Sequence, residues 1–197
     1  MSIDKASKED IKILLKSLKE EDKDEFITNN QKAFNYGALE EFGVKDNHFE
    51  EDGQIISRKT IEKAIADGEA YEVMLDGIVV GGVVVRVKEN HGSLELLFVS
   101  PDCHSRGIGY ATWCAIERLY PDVIIWETVT PYFEKRNIHF YVNRCGFHIV
   151  EFFNRYHRNP NAGKNDDDKN GEMFRFVKCM KSNGLSSKNY RKINEKC

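Results

Sequence analysis

Between Leu94 and Tyr110 the chain reads LELLFVSPDCHSRGIGY, and no other stretch limits the fold as much. Leu94 to Val99 is an apolar run of strand length, and Pro101 stops it because proline cannot donate to a ladder. After a short loop, Gly107-Ile108-Gly109 opens a segment with helical spacing through Leu119. That spacing predicts Ala111, Cys114, Ala115 and Leu119 facing inward, with Pro121 ending the helix. A buried strand that turns through glycines into a helix belongs in a layered fold with helices packed on a sheet. The same turn is a candidate anion site. The first N–H groups of a helix have no internal partner, and the helix dipole adds partial positive charge there. Glycines let the backbone approach a diphosphate closely, and Arg106 adds a formal charge to the loop. A dinucleotide loop of the GxGxxG kind wants a third glycine where Thr112 stands, and the Gly-Lys-Ser/Thr of a Walker loop is absent.

The remaining chain fills in the layers. Ser7 and Asp10 ahead of Ile11, Leu14, Leu15 and Leu18 predict a capped helix with one apolar face. Asp24 to Phe42 is a second helical stretch, and Ser57 to Ala66 a third, with Ile61 and Ile65 on one face and Gly68 as its stop. The period then changes. Ala70 to Leu75 alternates, Asp76-Gly77 makes a tight hairpin turn, and Ile78 to Lys88 is rich in β-formers. Asn90-His91-Gly92 is a further turn before Leu94 to Val99. Val123 to Val129 is a buried strand, Ile138 to Arg144 a short helix closed by Gly146, and Phe147 to Tyr156 and Met173 to Met180 form a closing hairpin across a polar loop.

Composition narrows the classes. The chain has 197 residues, enough for one domain with a full core. Apolar residues make up 41 % and charged residues 31 %, with a formal net charge of −3, so no basic excess points to nucleic acid. No run approaches the length of a membrane helix, and the first residues lack an apolar signal. The expectation is a cytoplasmic protein with neither nucleic-acid nor membrane partners. Cys103, Cys114, Cys145, Cys179 and Cys197 include no CxxC pair and are expected to be free, mostly buried thiols. His104, His139 and His148 fall on separate elements, so no metal site is expected.

In context the glycine loop resembles the GNAT superfamily of acyl-CoA-dependent N-acyltransferases, whose signature is Gln/Arg-x-x-Gly-x-Gly/Ala after a strand ending in Val-x-Pro. Here Val99-Ser100-Pro101 precedes His104-Ser105-Arg106-Gly107-Ile108-Gly109, with His104 in the place of Gln or Arg. Downstream, Asn137-Ile138-His139-Phe140-Tyr141 and then Gly146-Phe147 resemble the family's block of an asparagine and a tyrosine followed by Gly-Phe, with three residues here between Asn137 and Tyr141. The resemblance implies an α/β (α+β) fold: a mixed, mostly antiparallel, twisted sheet of about seven strands, splayed between the fourth and fifth, with helices on both faces. It implies one N-acetyltransferase domain over residues 1–181, followed by a basic tail over 182–197.

Roles follow from the same resemblance. Acetyl-CoA is the implied acyl donor, with Phe98 and Val99 pairing its pantetheine arm and Asn137 touching the arm. The amides of Arg106 to Tyr110, in the loop begun by His104 and Ser105, take the pyrophosphate. Tyr141 is the implied acid that protonates the departing thiolate and also contacts the cofactor. A carboxylate is needed to take a proton from the amine; Glu95 is the first candidate and Glu127 the second, because a carboxylate inside an apolar strand is costly unless it has work or a partner. Alternation places Glu95 and Leu97 on one face of their strand and Leu94 and Leu96 on the other. The acceptor is a small-molecule or peptide amine, in a site built from roughly Phe34–Phe49 and Tyr156–Glu172. Asp46, Glu50, Glu51 and Asp52 there hint at a cationic amine. The resemblance leaves room for a homodimer. The competing reading is a non-catalytic acyl-CoA sensor or scaffold, which would need the glycine loop but neither Tyr141 nor Glu95.

Overall fold

The computed structural model describes residues 11–42, 50, 51, 53–104, 107–160 and 172–180. The cap expected at Ser7 and Asp10, the loop over 161–171 and the basic tail lie outside these.

The first departure from the sequence expectation comes at the start. Leu14–Ser17 is not helical but a strand, β1, paired antiparallel with the strand that follows the second helix. Ile11, Ile13 and Leu15 pack on the core, while Leu14 is exposed and Lys16 points outward to Glu72 at 2.7 Å. The apolar residues of this short segment fit both a period of two and a period of 3.6, and strand pairing selects the former.

Helix α1 (Lys23–Phe42) carries Asp24 and Glu25 in its first turn, where negative charge favours the helix dipole. Helix α2 (Arg58–Asp67) begins at Ser57, whose side chain accepts from Thr60 N–H at 3.1 Å, and ends at Gly68 as expected. Strand β2 (Glu69–Leu75) joins β3 (Ile78–Lys88) through Asp76 and Gly77, both at positive φ. Strand β4 spans His91–Val99, three residues longer at its start than the sequence suggests. A 3-10 turn at Pro101–Cys103 leads toward α3 (Ile108–Leu119). Strand β5 (Ile125–Pro131), α4 (Lys135–His139), a π-helical turn (Phe140–Cys145), β6 (His148–Phe153) and β7 (Met173–Cys179) complete the order.

The seven strands form one sheet in the order β1-β2-β3-β4-β5-β7-β6. Only β4 and β5 run parallel; every other pair is antiparallel. On one face α1 and α2 cover Val84, Leu96 and Phe98 with Phe26, Ile27 and Ile61. On the other, α3 and the π-turn cover Val83, Val85, Leu94, Trp126 and Phe176. Helix α3 is turned from its expected orientation: Ile108, Thr112, Trp113 and Ile116 are buried, and Leu119 is exposed. Trp113 decides this, because its large ring packs on Trp126 and Phe147 at centroid distances of 5.3 and 5.0 Å.

Of the described cysteines, Cys103, Cys114 and Cys145 are free thiols, and burial pushes the Cys145 thiol up to about 12. Cys179 is disulfide-bonded, which corrects the expectation of thiols throughout.

Candidate active site

The site is defined by where β4 and β5 part. Their pairing runs only from His91↔Ile125 through Ser93↔Glu127. One side-chain bond follows, from the Thr128 hydroxyl to the Leu94 carbonyl at 2.9 Å, and beyond it the strands diverge into a wedge. The edge that β4 turns to this wedge follows from its pairing with β3. Ser100 N–H donates to Val80 O at 2.8 Å, and the register pairs Phe98 with Gly82 and Val99 with Gly81. By antiparallel alternation, Phe98 bonds β3, while the N–H and C=O of Leu97 and Val99 point into the wedge. Val99 therefore lies on the edge turned away from β3. Leu97, which the sequence reading passed over, shares that edge in place of Phe98.

A bulge sets the faces of β4. Val84 pairs with Leu96 and Val85 with Leu94, leaving Glu95 as the extra residue. Leu94 and Leu97 consequently pack in the α3 layer, and Leu96 in the α1–α2 layer. Glu95 forms an ion pair at 2.8 Å with Arg86, which stands two residues from Val84 on the α1–α2 side. The expected grouping of Glu95 with Leu97 is thus corrected: the bulge sends them to opposite faces. Glu127 also projects to the α1–α2 side, since its neighbour Trp126 is buried against α3. It pairs with Arg175 at 3.3 Å and His91 at 3.2 Å. Arg175 in turn holds Glu151 at 2.7 Å, and Glu151 holds His157 at 2.7 Å. These two partners hold the Glu151 carboxyl below its usual range. The chain of contacts crosses β4, β5, β7 and β6, and no local motif announces it.

Tyr141 stands in the π-turn with its ring against Phe140, Phe147 and Phe176 at 5.4, 5.7 and 5.5 Å. Burial drives its phenol well above the ordinary range, although a hydrogen bond with the Thr128 hydroxyl opposes this. Because Thr128 also bridges to Leu94, Tyr141 lies at the apex of the wedge. The phenol stays protonated at neutral pH and can give up a proton there. Asn137, one turn earlier on α4, donates to Glu134 at 3.3 Å.

At the mouth, Gly107 is the N-cap of α3 at φ 79, a left-handed conformation that favours glycine. Among the described residues no side chain caps the helix, and its first internal bond is Ala111 N–H to Gly107 O at 3.0 Å. The amides of Ile108, Gly109 and Tyr110 thus precede any intrahelical bond. A Cβ placed on Gly109 would lie 3.5 Å from Phe140 and 3.8 Å from Val99, so cradle, β4 edge and π-turn adjoin. Ser105 and Arg106 lie outside the described residues. His104 uses both ring nitrogens within the protein: Nε2 is 2.9 Å from Val99 O, and Nδ1 is 3.1 Å from Arg136 Nη2.

The acidic segment thought to favour a cationic acceptor is partly spent on structure. Glu50 accepts from Ser57 N–H at 2.9 Å and from the Thr60 hydroxyl at 2.6 Å, and Glu51 accepts from Gln31 at 3.0 Å. Asp46 and Asp52 lie outside the described residues. Among the described residues, no group of three or more His, Cys, Asp or Glu is placed to hold a metal, and no helix is long and apolar enough to cross a membrane.

Comparison with known proteins agrees with this geometry. Residues 38–147 match the family model for the acetyltransferase (GNAT) family, and the chain belongs to that family of acyltransferases. It is 49 % identical over 185 residues to the uncharacterized protein YrkN of Bacillus subtilis strain 168, across 89 % of this chain and 97 % of that one. Its fold is similar to the ribosomal-protein-S18-alanine N-acetyltransferase of Escherichia coli, with a TM-score of 0.60 and 15 % identity over 89 % of this chain and 99 % of that one. It is also similar to the PaiA N-acetyltransferase of Thermoplasma acidophilum, solved in complex with coenzyme A, with a TM-score of 0.61 and 16 % identity over 86 % and 99 % of the two chains.

Proposed function

We propose that this protein is an N-acetyltransferase that moves the acetyl group of acetyl-CoA to the primary amine of a small molecule or peptide, by direct attack in a ternary complex. The observation that carries the reading is the parting of β4 and β5 after Ser93, with Tyr141 at the apex and the uncapped start of α3 at the mouth. The PaiA complex, whose bound ligand is coenzyme A, supports the choice of donor.

The residues divide the work as follows. The amides of Gly107 to Tyr110, with Ser105 and Arg106 of the same loop, take the pyrophosphate. The Leu97 and Val99 edge pairs the pantetheine arm as another strand would, and Asn137 contacts it. The amine enters from the α1–α2 side, where Glu95 and Glu127 project. Glu95 at the bulge takes a proton from the ammonium, directly or through water. The amine nitrogen bonds the thioester carbon and gives its second proton to water as the amide forms; the C–S bond breaks with its electron pair on sulfur, the Tyr141 O–H protonates that sulfur, and water returns a proton to the Tyr141 phenolate. The products are an amide and CoA. Holding the two reactants together supplies a large share of the acceleration. The reading extends to a cytoplasmic enzyme acting without nucleic acid or membrane. A panel of polyamines, aminoglycosides, amino acids and peptides, assayed for CoA release, tests it. Release with at least one amine, and an acetylated nitrogen by mass spectrometry, is expected. Tight CoA binding without release across the panel would favour a binding module instead.

A further inference from the structure

His104 occupies the position that carries Gln or Arg in the family signature, and its surroundings define a task for it. The Val99 carbonyl points into the wedge, because Ser100 rather than Val99 bonds β3. His104 Nε2 lies 2.9 Å from that carbonyl. Its Nδ1 lies 3.1 Å from Arg136 Nη2 on α4. A guanidinium has only donors, so Nδ1 must offer its lone pair and Nε2 must carry the hydrogen that goes to Val99 O. Both contacts hold together only in the neutral, Nε2-protonated tautomer. From α1, the Tyr36 ring meets the imidazole edge-on at a centroid distance of 5.1 Å and an interplanar angle of 68°. One ring therefore joins β4, α4 and α1 at the mouth of the wedge.

We propose that His104 is a positioning residue for the acyl donor: as a neutral imidazole it holds the Val99 carbonyl, and through Arg136 it fixes β4 against the helix that carries Asn137. It leaves the Val99 N–H as the group turned to the ligand and sets that edge's direction. The inference rests on the reading that the wedge takes acyl-CoA. The task needs a donor and an acceptor on one side chain. A glutamine amide has both and leucine has neither, so the proposal predicts which replacements succeed.

The test measures CoA affinity by calorimetry, and kcat and KM for acetyl-CoA, in the full chain, His104→Gln and His104→Leu. His104→Leu is expected to weaken CoA binding about tenfold, the scale of one lost hydrogen bond with its carbonyl left unpaired. Its kcat at saturating donor should stay within about twofold, because no group at the reacting atoms has changed. His104→Gln should restore wild-type affinity. Nitrogen NMR of the imidazole in the wild-type chain tests the tautomer without any variant. A neutral ring with hydrogen on Nε2 is expected; an imidazolium at pH 7.5, or hydrogen on Nδ1, would overturn the proposal. Equal CoA affinity of His104→Leu and wild type would overturn it while leaving the acyl-CoA site standing. A wild-type chain that fails to bind CoA would instead remove the site reading beneath it, and the assignment of His104 with it.

Discussion

Gly109 separates what the fold needs from what a ligand needs. It is the second residue of α3, and a Cβ built there would meet Phe140 at 3.5 Å and Val99 at 3.8 Å, ordinary contact distances. Nothing in the packing requires glycine. Alanine is better than glycine inside a helix by roughly 0.5–1 kcal/mol, less in a first turn. At roughly 2–4 °C per kcal/mol for a chain of this size, Gly109→Ala should leave Tm unchanged or raise it by about 1–3 °C. The added methyl would stand among the amides proposed to meet the pyrophosphate, beside the wedge edge. CoA affinity should fall by about tenfold or more, since 1.4 kcal/mol of lost contact gives that factor. Gly107→Ala should behave differently: at φ 79 an alanine costs about 1–2 kcal/mol, and its Cβ would lie 3.3 Å from Ile11 Cδ1, so Tm should fall by several degrees. Thermal melts and calorimetric titration with CoA read both effects. If Gly109→Ala binds CoA as tightly as wild type, the cradle assignment at this residue is wrong.

Three further outcomes follow from the same geometry. Asn30 is fully buried in α1 with neither amide atom hydrogen-bonded, so Asn30→Leu should hold or raise stability by up to about 1–3 kcal/mol; a clear drop in the denaturant midpoint would contradict this. Glu151 has a lowered pKa through His157 and Arg175, so its ion pairs stabilise the fold above the unfolded carboxyl's value and are lost as pH falls through the folded one. The stability difference between wild type and Glu151→Gln should therefore shrink between pH 6 and about pH 3, and a constant difference would refute the linkage. Glu95→Gln should lower kcat more than Glu127→Gln, by about 10²-fold if Glu95 is the base; equal small losses in steady-state rates would remove both from proton transfer.

Much of the fold was legible because strong local signals agreed with packing. The alternation and turn at Asp76-Gly77, Ser57 with Gly68, and Gly146 as a closing cap each specify an element by themselves. Segment 11–18 failed because its five apolar residues fit two periods, and only pairing with β2 decides between them. The rotation of α3 was hidden because counting apolar positions gives Trp113 no more weight than alanine. In the site, the motifs single out Tyr141 and the glycine loop as candidates; among the described residues, Tyr141 lies beside Thr128, which bridges to Leu94, and a Cβ on Gly109 would adjoin Phe140 and Val99. The face of Glu95 was not, because a single-residue bulge inverts alternation and leaves no mark in composition. Nor was the chain of side-chain contacts from His91 to His157, whose members come from four strands and the turn after β6. Leu97 required the register, which fixes the bonded side of β4 only through Ser100 and Val80.

The central claim is that Tyr141 at the apex gives its proton to a thiolate leaving from a donor held in the wedge. Tyr141→Phe keeps the ring packed on Phe147 and Phe176 and removes only the hydroxyl beside Thr128. With the best acceptor from the amine panel, acetyl-CoA Kd and kcat are measured for both proteins. Unchanged Kd with kcat lowered by about 10²-fold or more is the expected result. Unchanged kcat would contradict the account.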